Sequence, residues 1–226
     1  MGSIDDNLQE VKRRIATAAA AAGRSAQSVT LLAVSKTFGA DALRAAHASG
    51  QCSFGENYVQ EALAKIEALA ELRPPLAWHL IGPLQSNKTR TVAEHFDWVH
   101  SVERLKIAQR LAEQRPAGLA PLQLCLQVNV SGEASKSGVE PAALPALAHA
   151  VAALPRERVQ LRGLMAIPEA ADAAAGHRLL RHLFDELRRQ GLALDTLSMG
   201  MSADLEAAIA EGATLVRVGT AIFGGR

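Results

Sequence analysis

Ile4, Leu8, Val11 and Ile15 recur at spacings of three and four, which places them on one face of an opening helix. Ser3 stands where a cap belongs, Asp5 and Asp6 where the helix dipole favours negative charge, and Gly23 where the helix stops. From there short apolar runs alternate with amphipathic stretches. The runs predict strands at residues 29–35, 52–54, 78–81, 98–100, 122–130, 160–165, 196–198 and 215–218, the fifth being the longest. Helices are predicted at 41–49, 58–72, 88–95, 103–114, 142–153 and 204–211, with a short turn at 221–223. A further amphipathic helix carries Leu179, Leu180, Leu183, Phe184 and Leu187 and closes at Gly191. The alanine runs at 18–22 and 170–175 resemble low complexity, but each adjoins a periodic helix.

Eight β/α alternations with apolar strands point to parallel strands covered by helices, which close most naturally into a (β/α)8 barrel. An open doubly wound sheet is the alternative. No Pro-, Ser- or Gly-rich linker divides the chain, so residues 1–226 are expected to form a single domain, a TIM barrel with an extra N-terminal helix.

Composition narrows the function. Lys and Arg number 24 against 23 acids, which leaves no polybasic footprint for nucleic acid or anionic lipid. Cys52 and Cys125 belong to no C-x-x-C pair and read as free buried thiols. The start lacks a signal peptide, and no apolar run approaches the ~20 residues of a membrane span. A soluble cytoplasmic protein is expected. The seven histidines show no close metal-ligand spacing, so no metal is expected.

The active face of such a barrel is the C-terminal end of its strands. The polar residues gathered there are Ser35-Lys36-Thr37, Gly55-Glu56-Asn57-Tyr58, His79, Asn129, Met165-Ala166, Ser198 to Ser202, Arg217 and Gly219-Thr220. Lys36 ends an apolar run. In a partly desolvated cup its amine would be freed as a nucleophile toward aldehydes; the plainer reading is a lysine snorkelling to water. The glycines and hydroxyls after the seventh and eighth strands suit a phosphate, or else only make tight turns. Arg217 lies on the same side as Gly219. It either serves a ligand or pairs with an acid. His79 either reaches the site or packs in the core. Lys136 could form a secondary site, though a solvated loop lysine is the simpler reading.

Several blocks carry a resemblance. Ala33-Val34-Ser35-Lys36-Thr37, Phe54-Gly55-Glu56-Asn57-Tyr58 and Trp78 to Lys88 resemble the pyridoxal phosphate homeostasis proteins, the YggS/PROSC family. So do Gln127-Val128-Asn129-Val130, Lys136-Ser137-Gly138, Gly163-Leu164-Met165, Leu197 to Leu205 and Arg217 to Gly224, in the family's order along nearly the whole chain. The resemblance implies a fold-type III barrel like the N-terminal domain of alanine racemase, with pyridoxal 5′-phosphate (PLP) held by Lys36 as a Schiff base. It implies that Ser198, Met201, Ser202, Gly219 and Thr220 surround the phosphate. Arg217 would face the pyridine nitrogen and Asn57 lie beside the ring, with His79 and Met165 completing the cofactor-binding set. The implied role is a carrier or buffer in vitamin B6 and amino-acid homeostasis, with PLP-dependent apo-enzymes as recipients.

A small PLP-dependent amino-acid racemase is the alternative, and the residues weigh against it. An arginine cannot readily protonate the pyridine nitrogen, so the ring is a weaker electron sink. Racemisation also needs groups on both faces of Cα. In alanine racemase the second is a tyrosine from a partner's second domain, whereas the only tyrosine here is Tyr58. No catalytic residue is therefore assigned, and a monomer is expected.

Overall fold

The computed structural model describes residues 2–133 and 136–225. Eight parallel strands close into a barrel in sequence order, with β1 pairing both β2 and β8. They are β1 Thr30–Val34, β2 Ser53–Glu56, β3 Ala77–Leu80, β4 Trp98–Val102, β5 Leu122–Gln127, β6 Val159–Met165, β7 Thr196–Ser198 and β8 Leu215–Val218. The helices are α1 Ile4–Ala21, α2 Ala40–Ala48, α3 Val59–Ala68, α4 Thr89–His95, α5 Leu105–Gln114, α6 Leu144–Ala152, α7 Ala173–Arg189, α8 Leu205–Ala210 and α9 Thr220–Phe223. Because every strand pair is parallel, all strand C-termini emerge at one rim.

The opening helix forms for the reasons its sequence supplies. The Ser3 hydroxyl accepts from Asp6 N–H while the Asp6 carboxylate accepts from Ser3 N–H, a reciprocal cap. Its face of Leu8, Val11, Ile15, Ala18 and Ala19 is buried, and the helix packs on α2, α8 and α9. Asn7 Nδ2 donates to Ile222 O at 2.8 Å, and Arg14 Nη2 donates to Ser202 O at 3.0 Å. The N-terminal helix is thereby tied to the loops that follow β7 and β8.

Boundaries differ from the sequence pattern where tertiary pairing decides them. The fifth strand ends at Gln127 rather than 130, because the loop doubles back: Val139 N–H donates to Gln127 O at 2.8 Å and Asn129 N–H to Val139 O at 3.0 Å. The longest strand is accordingly β6, with 7 residues. Cys125 is buried as expected, its thiol pushed up to about 12 by desolvation, while Cys52 lies just before β2 and is only half-buried. No described helix is long and apolar enough to cross a membrane.

Candidate functional site

A cavity of about 540 Å³ opens at the C-terminal rim, a volume within the ordinary range for small-ligand sites. Seven of the ten residues expected at a cofactor line it: Lys36, Asn57, Met201, Ser202, Arg217, Gly219 and Thr220. The other three, His79, Met165 and Ser198, are buried and do not line it. Val34, Thr37, Phe38, Ile81, Ile167 and Ala203 also face the space, together with Gly224 and Gly225.

Lys36 lies just past the end of β1 and is exposed, not set in a desolvated cup. The reason is where the strand stops. Val34 is the last paired residue and Ser35 is buried, so the chain turns outward at Lys36 and leaves its side chain at the open mouth. The turn passes through Thr37 at φ 71, the one non-glycine among the described residues in the left-handed region.

Arg217 is built differently. Its guanidinium is buried and donates to Ser198 O at 2.6 Å, Ser198 Oγ at 2.8 Å and Ala166 O at 2.9 Å. Among the described residues it makes no ion pair, so the acid-paired alternative fails. Desolvation lowers its pKa to about 10, which leaves it a cation at neutral pH.

Of the three residues off the cavity wall, Ser198 bonds Arg217 directly and His79 connects to it through His100. Met165 and Ser198 are register partners on β6 and β7. Ser198 Oγ, which accepts from Arg217, is also 2.8 Å from His100 Nδ1, and His100 Nε2 is 2.9 Å from His79 Nδ1. His79 in turn stacks on Trp98, with ring centroids 5.3 Å apart. Burial pushes His79 down to about 3 and His100 well below its ordinary range, so both are neutral near pH 7. Arg217 can only donate, so the simplest proton order runs from it to Ser198, then His100, then His79. His79 is thus the packed core histidine of the two readings.

Beside Arg217, the loop after the neighbouring strand β7 is held by Asp204. Its carboxylate accepts from Met201 N–H at 2.7 Å and lies 2.8 Å from Nε2 of the fully buried His177. Gly200, at φ 92, makes the turn possible, and a Cβ there would come within 2.5 Å of Ala208 Cβ. Lys136, the other candidate lysine, is exposed and pairs with Glu169 at 3.0 Å, as a solvated loop lysine does.

Sequence reasoning placed Glu56 at the rim without giving it a role, and missed the supporting residues His100, Asp204, His177, Lys65 and Glu61. One signal was readable: Lys65 falls on the apolar face of its helix, between Ala62 and Ile66, where a charge needs a partner.

The cavity fits PLP by its donor set. One primary amine reaches the mouth, a buried cation forms part of the wall, and the Ser202 and Thr220 hydroxyls flank backbone without bulky side chains at Gly219, Gly224 and Gly225. Asn57 also lines the space, and its buried Oδ1 has no hydrogen-bond partner among the described residues. An unspent buried acceptor in a cavity wall calls for a ligand donor.

Comparison with known proteins agrees on the family. The alanine racemase N-terminal domain family matches residues 6–226. A pyridoxal phosphate homeostasis protein of Pseudomonas aeruginosa is 65% identical over 227 residues, covering 100% of this chain and 97% of that one. Its counterpart in Escherichia coli K12 is 53% identical, covering 100% and 98%. The structure of PipY from Synechococcus elongatus with PLP bound is 42% identical with a TM-score of 0.86, covering 98% of this chain and 100% of that one. Alanine racemase from Corynebacterium glutamicum, at 16% identity and TM-score 0.68, covers 97% of this chain and 62% of that one and shares the fold.

Proposed function

Because the chain belongs to the pyridoxal phosphate homeostasis proteins, within the alanine racemase N-terminal domain family, we propose that it holds PLP in the rim cavity as a Schiff base on Lys36. In this reading it acts as a cytoplasmic, monomeric carrier or buffer in vitamin B6 and amino-acid homeostasis, handing the cofactor to PLP-dependent apo-enzymes. One observation carries the reading: a single cavity gathers the exposed amine of Lys36, the fixed cation Arg217 and the hydroxyl- and glycine-lined loops after β7 and β8.

When bound, the cofactor supplies an aldehyde that condenses with a primary amine and a ring that withdraws electrons. This chain's residues do the rest. Lys36 offers the amine. Ser202, Thr220 and the backbone at Gly219 receive the phosphate, a role that needs no cationic side chain. Met201 closes that end, with its loop held by Asp204. Arg217 would serve the pyridine nitrogen, with Ser198, His100 and His79 holding its guanidinium in place; Ser198 would then serve the site through Arg217 rather than through the phosphate. Val34, Ile81 and Ile167 limit the entry of water. A donor-only guanidinium at the ring nitrogen suits holding the cofactor better than it suits carbanion chemistry.

Absorption titration of the protein with PLP tests this. A saturable visible band with tight binding supports the reading, and a spectrum that is the sum of free components removes it.

The racemase reading keeps some support from the fold and from Lys36. Against it, Tyr58 is 60% exposed and is not among the residues lining the cavity. Exchange of the amino-acid Cα proton in D2O separates the two. A rate no greater than with free PLP is expected, and robust Lys36-dependent exchange would establish an enzyme.

A further inference from the structure

Three charged side chains lie behind the Lys36 segment without lining the cavity. Lys65 on α3 has a side-chain exposure of 6%, and Glu56 at the end of β2 has 0%. Glu61 sits one turn before Lys65 on the same helix. The Lys65 ammonium donates to Ser35 O at 2.7 Å, Glu56 Oε1 at 2.8 Å and Glu61 Oε1 at 2.6 Å, which uses all three of its protons. Ser35 Oγ donates to the same Glu56 oxygen at 2.5 Å, and Thr37 N–H donates to Glu61 Oε1.

The residues gripped are telling. Ser35 and Thr37 flank Lys36 on either side, and the cluster holds both of them from α3. A buried ion cluster is a poor way to gain stability, since apolar side chains of similar volume often serve as well or better. Here it also leaves Glu56 Oε2 buried with no partner among the described residues, and desolvation holds the Glu56 carboxyl above its ordinary range. The left-handed backbone at Thr37 persists only where its surroundings over-determine it, and the bond to Glu61 supplies that constraint.

We propose that Lys65, Glu61 and Glu56 form a clamp that aims Lys36, and so act as positioning residues for its condensation with the cofactor aldehyde; the inference rests on Lys36 being the cofactor-bearing lysine. In that step the bond between Lys36 Nζ and the aldehyde carbon forms, and the carbonyl oxygen leaves as water with two hydrogens from the neutral amine. Nothing is oxidised or reduced. The clamp contributes geometry alone.

Two probes isolate that contribution in the full-length chain. PLP carries the aldehyde, whereas pyridoxine 5′-phosphate carries an alcohol in its place and can use only the ring and phosphate contacts. Lys65→Met and Glu61→Gln are each titrated with both probes, beside circular dichroism and thermal melts. Since a misplacement of about 1 Å can cost about a hundredfold, the clamp predicts that PLP affinity falls by about tenfold or more while pyridoxine 5′-phosphate affinity changes by less than about twofold. Growth of the visible band after mixing should slow in parallel. Equal weakening for both probes would reduce the cluster to a structural tie and overturn the proposal, as would unchanged PLP binding in both variants. If Lys65→Met does not fold, Glu61→Gln decides, because that carboxylate is the more exposed, at 30%. A wild-type chain that binds neither probe would instead overturn the cofactor reading beneath the clamp.

Discussion

Arg217 shows how much of the site depends on groups that never face the cavity. Its guanidinium spends three bonds on two backbone carbonyls and one hydroxyl. Arg217→Leu strands the Ala166 carbonyl without a donor, while Ser198 O keeps Ala166 N–H and Ser198 Oγ keeps His100, and should lower unfolding stability by about 1–3 kcal/mol in denaturant melts. A loss well under 1 kcal/mol would mean that water replaces the side chain freely. The neutral histidines behind it predict a pH dependence. His79 takes up a proton in the folded chain only near pH 3, but in the unfolded chain near 6.5. Below 6.5 the unfolded state therefore binds more protons, and stability falls as pH falls through that window; above it, both states are neutral and the effect vanishes. His79 alone should cost about 2 kcal/mol at pH 5, and His100 acts in the same direction. Melts at pH 7 and pH 5 should show the drop, with a shallower slope in His79→Gln. Identical slopes would assign the acid sensitivity elsewhere.

At the scale of elements, the site depends on turns that leave no room for a side chain. A Cβ on Gly82, just after β3, would lie 2.2 Å from Asn57 O and 2.7 Å from Asn57 Cα, backbone atoms that cannot yield cheaply. Gly82→Ala should push Asn57 out of the cavity wall and weaken cofactor binding by about tenfold, at a cost of about 1–3 kcal/mol in stability. Unaltered affinity would remove Asn57 from the site. The barrel itself was legible in the alternation of short apolar runs with amphipathic helices, because each inward or helix-covered face needs its own periodicity. The cavity residues were legible for a related reason: parallel strands bring all their C-terminal ends together, so Lys36, Asn57, Arg217 and Gly219 can be gathered by counting strand ends. Depth was not legible. His79, Met165 and Ser198 come from the same strand ends as the lining residues, and only the closed barrel's geometry places them beneath the cavity wall. The exposure of Lys36 escaped for a similar reason, since where β1 stops is set by pairing with β2 and β8 rather than by apolar character. The clamp spans β1, β2 and α3; only its Glu61–Lys65 pair, four residues apart on one helix, leaves a signal in the spacing, and that pair was not singled out.

The molecule as a whole joins a barrel of the alanine racemase type to a rim cavity furnished for holding a cofactor. Its parts are graded by depth: an exposed amine at the mouth, a buried cation in the wall, and two hydrogen-bonded supports behind them. Such a molecule should keep its cofactor without turning over amino acids. The central claim is that Lys36 carries the cofactor. The most direct test is borohydride reduction of the PLP-loaded wild-type protein, followed by peptide mass mapping. The account predicts loss of the visible band and one pyridoxyl adduct on the peptide containing Lys36. An adduct confined to other lysines such as Lys136, or no adduct in a protein that stays colourless with PLP, would contradict it.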